Sequence, residues 1–139
     1  MTADQLFSFA NAYVLIGWLL LIFAPNRPFT DKAILYGVIG VLGLLYIYLI
    51  SGSLGNMDPD SFSSLQGVKS LFGDDMALVA GWVHYLAFDL LAGKYISDRG
   101  REIHIPRWQI LICLPFTFMF GPVGFVMFLV MRLFHNRAN

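Results

Sequence analysis

Three stretches of this chain, 6–24, 33–57 and 108–131, hold no Asp, Glu, Lys or Arg. A fourth, 76–88, is also uncharged, and its apolar character resumes beyond Asp89. About 20 apolar residues make a helix long enough to cross the hydrocarbon of a bilayer. These runs predict an all-α fold: a four-transmembrane-helix bundle with helices near 5–24, 32–52, 76–97 and 108–133, in a single integral membrane domain over 1–139. The soluble alternative would bury four apolar helices inside a polar shell. The chain is only 13% charged and 58% hydrophobic, against about 25% charged in soluble domains, so too little polar sequence remains to build that shell.

Other features narrow the class. The start, Met1-Thr2-Ala3-Asp4, has an acid and no base, and no A-x-A site precedes Pro25, so the first segment reads as a retained helix rather than a signal peptide. The single cysteine, Cys113, excludes an intrachain disulfide and reads as a small buried apolar residue. A net charge of zero without basic clusters argues against a nucleic-acid partner. The chain contains no H-x-x-H or E-x-x-H, and His104 and His135 lie near helix ends, so neither a metal nor another cofactor is expected. The expected surroundings are membrane lipid, with a homo-oligomer open.

Charge sets the expected orientation. Arg27 and Lys32 flank the first loop, and Lys94, Arg99, Arg101 and Arg107 the third. The N-terminus and second loop hold Lys69 against Asp4, Asp58, Asp60, Asp74 and Asp75. The N-terminus is therefore expected outside, with loops one and three inside. Four spans would then leave Arg132 and Arg137 outside, against the rule. Within the second loop, Phe62, Leu65, Val68 and Phe72 recur at spacings of three and four. They predict an interfacial amphipathic helix over about 61–72, capped by Asp60 or Ser61 and ended by Gly73.

The third helix carries His84 and Asp89 near its middle. An ionised Asp at a bilayer centre costs roughly 2.5–3.5 kcal/mol. Trp82, Tyr85, Asp89 and Gly93 share one helical face. His84, five residues from Asp89, points about 140° away. Each polar group must find its partner on another helix or a ligand. Asn11 on the first helix is a candidate at the depth of His84. The fourth stretch is broken by FGPVG, where Pro122 cannot donate to the Phe118 carbonyl and Gly121 admits close approach. Asp89 and His84 are the candidate catalytic residues; Asn11, Trp82, Tyr85, Gly121 and Pro122 are the candidate binding residues. The bland alternative makes the polar pair structural glue.

Four blocks, FSSLQGVKSLF, GWVHYLAFDLLAGKYI, IPRW and FMFGPVGFVMFLVMR, give the chain a resemblance to the small membrane family of the chloroplast neoxanthin synthase, known from abscisic-acid-deficient plants. The resemblance covers about residues 7–133 and is most specific at WVHYLAFD and FGPVG. It implies four membrane helices and a role in turning an epoxy-carotenoid into an allenic one. That reaction is an isomerisation needing an acid for the epoxide oxygen and a base for a vinylic proton, roles that neutral Asp89 and His84 would fill without a cofactor. The lack of a plastid-type extension points to a bacterial inner-membrane protein, so the plant substrate is not carried over. A carotenoid-modifying or carotenoid-binding protein is the leading expectation. A non-enzymatic membrane accessory protein and a small transporter subunit stand as alternatives.

Overall fold

The computed structural model describes residues 1–25, 27–54 and 59–138; Asn26, residues 55–58 with the loop acid Asp58, and Asn139 lie outside that set. The described secondary structure is helical. Helix α1 (Ala3–Phe23) opens on a capping box: the Thr2 hydroxyl accepts from the Gln5 N–H and the Gln5 side chain accepts from the Thr2 N–H. Helix α2 (Pro28–Lys32) starts on a proline, where no helical N–H is required. It widens into a π-helical stretch, Ala33–Ile39, and continues as α3 (Gly40–Leu54). The Tyr13 hydroxyl donates to the Gly37 carbonyl in that wide stretch, at 3.2 Å. Helix α5 (Asp75–Glu102) is capped by the Asp74 carboxylate, which accepts from the Ala77 N–H.

Three helical runs are long and apolar enough to cross a membrane: Ala3–Phe23, Pro28–Gly52 and Asp75–Glu102. Their outward faces carry large apolar side chains such as Leu19, Phe23, Leu44, Ile47 and Phe88. A surface that is apolar over such breadth is matched to hydrocarbon, and the chain is membrane-associated. Inside, α1 and α5 run parallel and approach closely through glycines. Leu90 of α5 fills the notch at Gly17, and Trp18 of α1 fills the one at Gly93, where a Cβ would stand 2.6 Å from the indole. Small residues of this kind let membrane helices pack without a hydrophobic driving force.

The fourth apolar stretch differs from the expectation of one broken helix. It forms α6 (Arg107–Phe120) and α7 (Pro122–Ala138), separated by Gly121 alone, and these double back on each other. Gly124 of α7 lies against the backbone of Cys113 and Thr117 in α6, where a Cβ would meet the Cys113 carbonyl at 2.6 Å. The sulfurs of Cys113 and Met131 are 3.7 Å apart. Phe125 and Phe128 of α7 reach Tyr95, and Phe128 also lies over Gly100. Both helices thus line the half of α5 between Asp89 and Glu102. The physical reason is local: Pro122 supplies no N–H to continue α6 and suits the first turn of a new helix, while Gly121 and Gly124 remove the side chains that would hold the arms apart. At 1.5 Å per residue, α6 reaches only about 21 Å.

The hairpin sets which end of the bundle the C-terminal helix reaches. Helix α7 returns toward the end where α1 finishes and α6 begins, so Arg132 and Arg137 join Arg27, Lys32, Lys94, Arg99, Arg101 and Arg107. The second loop also differs in detail. Its helix α4 (Leu65–Leu71) is capped by Ser64, whose hydroxyl accepts from Gly67, and follows a short 3-10 turn, Pro59–Phe62. Phe62 and Leu65 are exposed, and Phe72 lies over Gly81 of α5.

Candidate functional site

The hairpin tip lies against the midpoint of α5, at Asp89. A Cβ on Gly121 would stand 2.9 Å from Asp89 Cγ, so only a glycine fits between the tip and the carboxyl group. Asp89 is 9% exposed, and among the described residues its Oδ2 has no hydrogen-bond partner. The neighbouring Tyr85 hydroxyl is one turn away on the same face. It donates to the Met119 carbonyl at 3.0 Å, in the last turn of α6, where carbonyls lack helical partners. The side chain thus reaches the carbonyl one residue beyond Phe118, whose ring instead packs edge-on against Trp18 at 5.5 Å.

A second polar step continues along this face. Trp82 Nε1 donates to Asn11 Oδ1 at 3.0 Å, and Asn11 Nδ2 donates to the Phe7 carbonyl at 2.9 Å. The Trp82 ring lies 5.3 Å from Tyr85 and 5.5 Å from Phe7. Five of the seven residues singled out in the sequence, Asn11, Trp82, Tyr85, Asp89 and Gly121, therefore form one continuous track. Because the hairpin stops at Asp89, no fourth long helix lies beside this track, among the described residues, along the half of α5 from Asp75 to Tyr85. Phe7, Leu78, Trp82, Met119 and Phe120 are exposed there. These exposed side chains flank the polar track of Asn11, Trp82 and Tyr85.

The other two residues lie elsewhere. His84 occupies a different face of α5, stacked on Phe88 at 4.5 Å and tilted against Tyr46 of α3 at 5.5 Å. The structure does not bring it to Asp89. Pro122 is exposed on the outside of the tip; it shapes the turn rather than the track. Two contributors escaped the sequence reading: Met119, whose carbonyl anchors Tyr85, and Phe7, the ring beside Trp82. A backbone acceptor carries no sequence signal, and one phenylalanine among thirteen is indistinct. Among the described residues no cluster of three His, Cys, Asp or Glu side chains is placed to hold a metal ion.

Comparison with known proteins adds the context. The family model described as ABA4-like, ABA DEFICIENT 4-like, matches residues 5–128. The chain is 31% identical over 146 aligned positions to the Arabidopsis thaliana protein ABA DEFICIENT 4, chloroplastic. The alignment covers 96% of this chain but 63% of that relative's length. No solved structure matches the chain.

Proposed function

Because the chain belongs to the ABA DEFICIENT 4-like family, we propose that it handles a carotenoid within the membrane. The exposed strip beside the polar track serves as a half-depth recess with aromatic walls; it receives one end group, and Asp89 acts on it. The observation carrying this reading is Asp89 Oδ2, a buried carboxyl oxygen without a partner among the described residues, on the helix face that carries the Trp82 and Tyr85 rings. Leaving such an atom unsatisfied costs about 1–3 kcal/mol, a cost that a ligand oxygen would offset.

The recess also meets a geometric demand. A carotenoid lying across a bilayer places its end rings near the interfaces, whereas Asp89 is at mid-depth. A ligand lowered between the Phe7 and Trp82 side of the recess and the hairpin tip reaches Asp89 from one leaflet. The chemistry is an epoxide-to-allene isomerisation. Protonated Asp89 gives its proton to the epoxide oxygen as the carbon–oxygen bond breaks. The carboxylate left behind takes the vinylic proton, whose bonding pair becomes the new double bond of the allene. Atoms and charge balance without a cofactor. Tyr85, anchored on Met119, orients the carboxyl group. His84, on another face, has no required step.

In the membrane, α1, the α2–α3 run and α5 span, and α6–α7 enters as a hairpin from the basic end. Eight of the nine Lys and Arg then fall at that end, which supports reading it as inside and the N-terminus as outside. Reporters fused near Arg27 and at the C-terminus should both read cytoplasmic, and one near Asp60 external.

A second reading makes the chain an accessory scaffold with Asp89 as a packing group for the tip. Gly121 favours it, because the tip closes directly on the carboxyl group. Expression in cells making defined epoxy-carotenoids separates the two. A carotenoid role gives a visible absorption band on the purified protein, and catalysis gives an allenic product that Asp89→Asn abolishes. Unpigmented protein and unchanged pigments would favour the scaffold.

A further inference from the structure

A cavity lies at the basic end, about 290 Å³ in volume, between the end of α1, the last turns of α5 and the start of α6. Its lining mixes two kinds of chemistry. Ser97, Arg101, His104 and Arg107 are the polar lining residues, and Leu21, Leu111 and Leu114 are among the apolar ones. This pattern suits an amphiphile whose head is anionic and whose proximal chain is apolar.

Three independent features mark the polar lining residues as a binding site. Ser97 is 7% exposed and lines the cavity, yet its hydroxyl has no hydrogen-bond partner among the described residues. Helix α6 starts at this cavity with Pro106 in the capping position and no side-chain cap, so its first N–H groups and positive dipole end are available to an anion. The cations are incompletely neutralised. Arg107 donates to the Ile22 carbonyl at 2.6 Å and pairs with no carboxylate among the described residues, while Arg101 reaches Asp98 only at 3.4 Å. Asp98 is itself drawn away by Lys94, at 2.6 Å. His104, among the same lining residues, adopts the left-handed region at φ 63°, a conformation uncommon for a residue with a side chain.

We infer that this cavity binds a phosphate group, with the apolar lining residues holding the first carbons of an attached chain. Paired guanidinium groups, a hydroxyl and an open helix start are the donor set that phosphate oxygens require. Two sources share that chemistry: an anionic phospholipid of the surrounding leaflet, and free phosphate. The mixed lining favours the lipid. The site lies eight residues along α5 from Asp89, about 12 Å, and is separate from the recess above.

The test is native mass spectrometry of the full chain released from nanodiscs of phosphatidylglycerol or of phosphatidylcholine, with inorganic phosphate titrated in a third arm. One phosphatidylglycerol should stay bound per chain, with at least tenfold lower retention of phosphatidylcholine. Arg101→Gln should cut retention several-fold. Because Arg107 also holds α1, Leu111→Trp provides a second variant, filling space beside the apolar lining residues without changing charge, and it should displace the lipid while leaving phosphate binding intact. Phosphate binding as tight as the lipid's would assign the site to the free anion. Equal retention of both lipids together with no phosphate binding, or wild-type retention in both variants, would overturn the site.

Discussion

Two ionisable side chains are buried on α5 five residues apart, and their surroundings are opposite. Lys94, 7% exposed, is held by Asp31 of α2 at 2.7 Å and by Asp98 one turn along at 2.6 Å. Asp89, 9% exposed, faces a glycine, and one of its oxygens has no partner among the described residues. Burial of a charged group is tolerated when paired and hydrogen-bonded. Lys94 meets that condition with protein groups alone, and it ties the second helical run to the third. Asp89 meets it only in part, since its Oδ2 has no partner among the described residues. The pair shows why burial by itself says little: the partner list separates glue from a poised group.

The comparison can be broken most forcefully at the tip. Gly121→Leu forces a side chain into the Asp89 carboxyl group and should destabilise by about 3 kcal/mol, the upper end of overpacking costs, seen as a lower melting temperature in detergent. The 2.9 Å approach to Asp89 Cγ predicts harm to folding as well as to any ligand at the tip. Combining the milder Gly121→Ala with Asp89→Ala should recover most of the stability that Gly121→Ala alone loses. Additive losses would mean that the tip does not rest on Asp89.

Lys94→Met comes next. Removing one member of a buried pair costs about 3–5 kcal/mol, but Asp31 and Asp98 have side chains 45% and 36% exposed and regain solvent. A loss of about 1–2 kcal/mol after that discount is expected, with carotenoid turnover kept in the folded fraction. His84→Phe is the smallest change. Its ring contacts with Phe88 and Tyr46 survive the substitution, so melting should move by less than about 0.5 kcal/mol and product formation should persist. Loss of product from folded His84→Phe protein would restore the imidazole to the mechanism.

The helical class was legible in the sequence because apolar runs report length directly. The track on α5 was legible too: Trp82, Tyr85 and Asp89 follow from 3.6 residues per turn, which fixes faces within a helix. The direction of the chain beyond Phe120 was not. Hydropathy measures how long a run is, and a run long enough to cross once also suits two short arms that turn back. The signals were present but pointed elsewhere: FGPVG read as a break in one helix, and Arg132 and Arg137 as exceptions to the charge rule. The surroundings of His84 were legible only in part. Angular separation said that it left the Asp89 face, but only the packing of α3 against α5 shows it beside Tyr46.

The most direct measurement sets Asp89→Asn against Lys94→Met in the same carotenoid-producing cells, with melting temperature and product scored together. Asp89→Asn keeps the shape at the tip, so its stability should stay within about 1 kcal/mol of the parent chain while the allenic product disappears. Lys94→Met should do the reverse, losing stability and keeping product. If Asp89→Asn instead loses stability and retains product, Asp89 is glue like Lys94, and the recess at the hairpin tip is not the site of chemistry.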